Sequence, residues 1–259
     1  MKVLFSYERN DAAKVAVLVS LYNYSQHICE ALDSVAEQTL LPLELVVCND
    51  CSTDNSADVT TAWMEDHAER FSRIAFIENE RNSGLSATRN AAISYATAPY
   101  LFILDADNQI YPRCLERSLE ILEESPPEAA FVFAQREMFN AQELHGYALE
   151  NLEDWNLEQL LRTNTIDAMV LHKRSALEAV GGYATDDVLG RLGMEDYELW
   201  LKYIRANFYG SKIHQPLIRY RRHLTSMVHK TTLQTNNLRR IWKRLNELYP
   251  DLIPSRRTI

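Results

Sequence analysis

Apolar residues in this chain fall in short unbroken runs, and amphipathic stretches separate them. Val15 to Ser20 is almost wholly apolar, as a strand covered on both faces would be. After the polar break Asn23-Tyr24-Ser25, Ile28, Ala31, Leu32 and Val35 recur at helical spacing. Leu43 to Cys48 predicts a second buried strand, and the turn-rich segment Asn49 to Asp54 follows it. A helix from about Asn55 to Arg70 turns Val59, Ala62 and Trp63 inward. Ile74 to Ile77 then predicts a strand, Ser86 to Tyr95 a helix and Tyr100 to Leu104 another strand. Strands alternating with helices at this spacing predict an α/β fold, with a Rossmann-like, mostly parallel central sheet flanked by helices.

The second half is less regular. Pro112 opens a helix carrying Leu115, Leu119 and Leu122, and Pro126-Pro127 ends it. Ala129 to Ala134 predicts a strand, whereas Glu137 to Leu152 has weak periodicity and reads as a loop. A strand over Thr165 to Leu171, a helix over Arg174 to Val180 and a tight turn at Gly181-Gly182-Tyr183 follow. Met194 to Ala206 predicts a helix, and Thr231 to Leu248 an amphipathic C-terminal one.

Composition narrows the classes. A chain of 259 residues, 46% hydrophobic, can bury a sizeable core. A net charge of −9 argues against a nucleic-acid partner, although Arg219, Arg221, Arg222, Arg239, Arg240, Lys243 and Arg244 crowd the C-terminal part. Cys48 and Cys51 form a C-x-x-C without a second pair, so a reduced, cytoplasmic chain is expected rather than a zinc or redox site. No apolar run approaches the roughly 18 residues of a membrane span. Attachment to the inner face of a membrane stays open.

In a parallel sheet, ligands gather beyond the carboxyl ends of the strands. Tyr22-Asn23 follows the first strand, Asn49-Asp50 the second, and Asp105-Ala106-Asp107 the fourth. If the strand runs on through Asp105 and Asp107, both carboxylates project to one side, where their repulsion suits a divalent cation. A solvated turn is the bland alternative. Asn82-Ser83-Gly84 leads into a helix whose first N–H groups could meet an anion, with Arg89 on that helix; an ordinary capped helix competes. Glu195-Asp196 opens a later helix, where acids suit the helix dipole but could equally supply a general base. Tyr220-Arg221-Arg222-His223 offers an imidazole to complete a metal shell.

Taken in order, Val17 to Asn23, Ser34 to Thr39, Asp50 to Asp54, Asn82 to Asn90, Asp105 to Asp107, Gly181 to Tyr183 and Glu195-Asp196 resemble glycosyltransferase family 2. That resemblance implies a GT-A fold and an inverting hexosyltransferase. Its sugar would come from a nucleotide-sugar donor, a UDP-sugar, and go to a hydroxyl of a glycan, lipid-linked or small acceptor. The chain is expected to form one compact domain with a nucleotide-sugar-binding half (residues 1–112), an acceptor-binding and catalytic-base half (113–229) and a helical tail (230–259), which the resemblance, covering roughly Ala16 to His223, does not place. Leu21, Tyr22, Asn23, Asp50, Asn82, Gly84, Arg89, Asp105 and Ala106 would bind the donor, with Asp50 on the base and Asp105 on the ribose. Asp107, with His223 as an extra ligand, would hold Mn²⁺ or Mg²⁺. Asp196 and Glu195 would be the catalytic residues, with Asp196 as the base. Asn49-Asp50-Cys51 departs from the family's frequent Asp-Asp-Gly, and Asn108 replaces a frequent acid. A retaining transferase, a catalytically silent glycan- or nucleotide-binding module and a sugar-nucleotide pyrophosphorylase are the competing readings; the last lacks its Gly-rich basic loop.

Overall fold

The computed structural model describes residues 1–9, 11–140, 143–150, 154–223 and 226–253, with backbone alone at 140 and 143–150. In chain order the first half runs β1 (Lys2–Glu8), β2 (Val15–Leu21), α1 (Ile28–Ala36), β3 (Leu43–Asn49), α2 (Ser56–His67), β4 (Arg73–Glu78), α3 (Leu85–Tyr95), β5 (Tyr100–Asp105) and β6 (Gln109–Ile110). The second half runs α4 (Cys114–Glu124), β7 (Ala129–Asn140), β8 (Glu143–Glu150), α5 (Leu157–Leu160), β9 (Val170–Lys173), α6 (Arg174–Ala179), α7 (Leu189–Leu192), α8 (Glu195–Arg205), β10 (Tyr209–Arg222) and α9 (Thr235–Leu248).

One sheet passes through both halves in the order β1-β4-β3-β2-β5-β9-β7-β10-β6, with β8 paired to β7. Strands β4, β3, β2 and β5 are parallel neighbours, as are β7 and β10. β9 runs antiparallel between β5 and β7. Its start, not its end, therefore lies at the carboxyl edge of β5.

The unbroken apolar strands are explained by layers on both faces. Val15, Val17 and Val19 of β2, with Leu43, Leu45 and Val47 of β3, pack with α1, α2 and α4. The intervening Ala16, Leu18, Val46 and Cys48 pack on the other side with α3, α8 and α9. Period-two alternation thus feeds two hydrophobic layers, and each fully buried Val or Leu contributes about 1.5–3 kcal/mol.

Several expected elements shift. Residues 137–152 are not a loop: β7 runs on to Asn140 and β8 pairs back on it, while 141–142 and 151–153 lie outside the described residues. The strand expected over Thr165 to Leu171 forms only from Val170, because Asn164 to Asp167 turns into the crevice. β10 escapes the pattern, since register shifts around Pro216 break its alternation. β1 is an edge strand antiparallel to β4, only partly covered. The C-terminal helix starts at Thr235, after a wide helical turn over Val228–Thr232; residues 254–259 of the tail lie outside the described residues. No cysteine is in a disulfide. Among the described residues no helix is long and apolar enough to cross a membrane.

Candidate active site

The loops after β2 and β3 are stitched together. Asn23, with φ of 58°, turns its Oδ1 to accept the Thr53 and Asp54 N–H groups at 2.7 and 3.3 Å. Its own N–H donates to Ser52 Oγ at 3.0 Å, and the Ser25 N–H donates to Asp54. Tyr22 is left 44% exposed at the mouth, whereas Leu21 is wholly buried in the sheet.

Asp50 is buried and already engaged. Oδ1 accepts from the Ser83 N–H and Asn79 Nδ2, both at 2.8 Å, and Oδ2 accepts from the Gly84 N–H at 2.8 Å. The N–H groups that the sequence offers to an anion before α3 are therefore taken at Ser83 and Gly84 by Asp50. Gly84 has φ of 90°, and a Cβ there would stand 2.9 Å from the Gly190 carbonyl, so glycine is required. Asn82 donates to the Asp50 carbonyl and accepts from Arg191. Cys51 holds φ of 58°, a conformation costly for any residue with a Cβ, while its thiol donates to the Asn79 carbonyl at 3.0 Å.

β5 stops at Asp105, and the Asn108 N–H closes a turn onto its carbonyl at 3.1 Å. The alternation that would align Asp105 with Asp107 ends there, and the two carboxylates find different partners. Ala106 is buried between them. Arg221 of β10 fixes the turn: its N–H donates to Asn108 Oδ1 at 2.7 Å, its Nε to the Asp107 carbonyl at 2.9 Å and its Nη2 to Glu30 at 2.5 Å. Asn108 is thus a structural bracket. His223, just past β10, places Nε2 2.9 Å from Asp107 Oδ2. Tyr24 lies on the other side; burial first, then the Asp107 and Asp105 charges, pushes its phenol upward, so it stays protonated. His27 stacks obliquely on His223 with ring centroids 5.7 Å apart.

Arg89 connects the two ends of the crevice. It is 2% exposed, donates from Nη2 to Asp105 Oδ1 at 2.8 Å and from Nη1 to Glu195 Oε1 at 2.5 Å, and lies over the Tyr183 ring. Burial raises the Asp105 carboxyl, with Arg89 opposing and the Asp167 and Asp107 carboxylates adding to the rise. Glu195 faces Arg89, so its neighbour Asp196 is the acid left to the crevice. Asp196 Oδ2 accepts from Asn164 at 2.9 Å and Oδ1 from the Tyr197 N–H at 2.7 Å. Burial, then the charges of Glu195 and Asp167, pushes Asp196 up to about 7. Asp167, paired with Arg136 at 2.7 Å, completes this acidic wall.

Asn164, Asp167, Arg136 and Tyr24 are the residues that pattern reading missed. The rule about carboxyl ends overlooks Asn164 and Asp167, because antiparallel β9 presents its beginning to the crevice. The polar residues Asn164, Thr165 and Asp167 ahead of the apolar Ala168 to Leu171 were the available signal.

Asp107 and His223 supply one carboxylate and one imidazole, ligand types that divalent first-row metals accept. Their 2.9 Å separation is that of a direct contact between the two side chains. Among the described residues no group of three or more His, Cys, Asp or Glu is gathered for a metal. A two-ligand protein contribution is the arrangement of cations that share phosphate oxygens with a substrate.

The Glycosyl transferase family 2 profile matches residues 16–181. EpsE of Bacillus subtilis (strain 168), which carries a glycosyltransferase name, is 26% identical over 217 residues, 82% of this chain and 74% of that protein. The chain spans only about a third of two further curated relatives. TarS of S. aureus, solved with UDP-GlcNAc, superposes with a TM-score of 0.67 at 16% identity over 92% of this chain and 74% of that one. Mannosyltransferase PcManGT of Pyrobaculum calidifontis, solved with GDP-Man and Mn²⁺, gives a TM-score of 0.61 at 22% identity over 85% and 59% of the two chains. These likenesses establish the GT-A-like fold. With well over half of its residues matched by the profile, the strand ends of the crevice up to Asp107 among them, the chain belongs to glycosyl transferase family 2 and is a glycosyltransferase.

Proposed function

We propose that the chain is an inverting transferase that moves a sugar from a nucleoside-diphosphate donor to an acceptor hydroxyl, with Asp196 as base. The observation that carries this reading is the Asp105–Arg89–Glu195 bridge, which brings the end of β5 and the start of α8 to one crevice. The exposed Tyr22 ring is suited to stack on the nucleotide base, and Asp50 shapes that pocket by holding Ser83 and Gly84. Asp105, oriented by Arg89, faces the ribose, and Asn23 and Asn82 fix the surrounding loops. TarS with UDP-GlcNAc favours uridine as the nucleoside, while the GDP-Man of PcManGT marks guanosine as the competitor.

Asp107 and His223 would hold Mn²⁺ or Mg²⁺, which when bound offsets charge on the departing diphosphate. Asp196 takes the proton of the acceptor hydroxyl as its oxygen bonds to the anomeric carbon and the bond to the diphosphate breaks. A base is most effective when its pKa lies near the working pH, and a carboxyl raised to about 7 meets that condition. Asn164 aims the carboxylate, and Glu195, held by Arg89, keeps the first turn of α8 in place.

The test is a screen of UDP- and GDP-sugars for metal-dependent release of the nucleoside diphosphate, followed by NMR of the product anomer. Release with an inverted anomer is expected. A retained anomer would remove Asp196 from its role, and binding of a donor without turnover on any acceptor would favour the silent module.

A further inference from the structure

The C-terminal segment runs against the rest of the chain in charge. The whole carries −9, yet residues 226–253 hold five basic side chains against two acidic ones. α9 buries Ile241 and Leu245, four residues apart, against the core. Steps of about 100° per residue put Arg239, Arg240 and Lys243 on the opposite side, and all three are exposed. The wide turn before α9 adds exposed Lys230 and leaves two aliphatic side chains in solvent, Val228 at 40% and Leu233 at 53%.

The turn before α9 packs beside the start of α8. Gly193, with φ of 105°, lies so close to Thr232 that a Cβ would come within 2.3 Å of Oγ1, which seats the turn against the residues opening α8. His223 stands a few residues before the same turn, with Nε2 on Asp107. The turn, with its Lys230, Val228 and Leu233 side chains, therefore lies beside the residues that open α8.

Cations alone would suit any polyanion. Val228 and Leu233 gain nothing from a nucleic acid or a solvated acidic peptide, whereas a bilayer takes the cations at its headgroups and the aliphatic groups just beneath them. The acidic remainder of the surface would be repelled by the same headgroups, which leaves one orientation. We propose that the outer face of α9 and the turn preceding it dock the protein on an anionic lipid bilayer, holding the mouth of the crevice at the membrane surface. This deepens the proposed transfer, on which it rests only for the corollary that the acceptor is carried by the membrane.

The experiment is co-sedimentation of the full chain with vesicles of phosphatidylcholine alone or mixed with phosphatidylglycerol, at low and high salt. Partitioning onto the anionic vesicles is expected, weakened by salt. Each cation near such a surface contributes roughly fivefold, so R239Q/R240Q/K243Q should lower the partition coefficient roughly a hundredfold. V228S/L233S should lower it roughly tenfold on the same vesicles. Equal binding to neutral vesicles, binding to neither, or wild-type binding by the triple variant would overturn the proposal. Binding to heparin that V228S/L233S leaves intact, without vesicle binding, would assign the face to a polyanion instead. If the triple variant melts early, the salt dependence and the aliphatic variant still decide. Vesicle binding needs no turnover, so its failure is separable from failure of the transferase reading.

Discussion

Two pairs of acids face the crevice, Asp105 with Asp107 at the end of a strand and Glu195 with Asp196 at the start of a helix. Both pairs divide in the same way. One member of each, Asp105 or Glu195, is bound by the buried Arg89, and the other keeps a lighter partner, His223 for Asp107 and Asn164 for Asp196. The means differ. Neighbours on a helix point about 100° apart and diverge without help. Neighbours but one on a strand would be parallel, so the chain must leave the strand at Asp105 to separate that pair. A single guanidinium thus absorbs one charge from each side and leaves the other to chemistry.

The strongest way to break this symmetry is to remove its centre. Arg89→Met leaves Asp105 and Glu195 without their shared cation in a buried site, and a loss of about 3–5 kcal/mol in denaturant unfolding is expected, together with activity. Arg89→Lys should rescue little, because one ammonium cannot reproduce the two-pronged contact. Asp196→Asn tests one reactive member. Turnover should fall roughly 10²–10⁴-fold while donor affinity, measured by calorimetry, holds. Asp107→Asn tests the other: the metal concentration for half-maximal activity should rise roughly 10–100-fold, with His223→Ala moving it in the same direction by less.

Burial raises the carboxyl of one member of each pair, Asp105 and Asp196. Asp196 acts ionised, so the rate should climb with pH and level off above about 7. The same shift has a stability sign. Ionising a carboxyl whose folded-state pKa is raised destabilises the fold: the penalty is absent below 3.8, grows as pH rises and is complete above about 7. Asp196→Asn should therefore melt later than the wild type at pH 8 and no later at pH 4, a combination that a merely damaged variant would not show. The smallest effect is expected at the neighbouring loop. Cys51→Gly relieves the φ of 58° and should stabilise by about 1 kcal/mol, less what the thiol contact to Asn79 contributes.

The central strands and their helices were legible because unbroken apolar runs have one main explanation, burial on both faces. Val15 to Ser20 and Leu43 to Cys48 state it directly. The reactive residues were legible where they lie at the ends of those strands. Asn164 and Asp167 were not, since an antiparallel strand inverts which end faces the ligand. β10 was hidden by charge and irregular register, although it delivers Arg221 and His223. Nor does spacing reveal that Asp50 is spent on Ser83 and Gly84, because such bonds depend on a turn of backbone that composition does not record.

The Asp107 turn also says something about the order in which the molecule can come together. Its bracket, Arg221, lies 114 positions downstream, and Glu195 lies 106 positions beyond Arg89. Contacts so distant along the chain form late. A nascent chain that has extruded only β1 to β6 carries Asp105 and Asp107 with neither His223 nor the far end of the Arg89 bridge. During synthesis the protein therefore passes through a long interval in which its sheet can begin to assemble while its chemistry cannot.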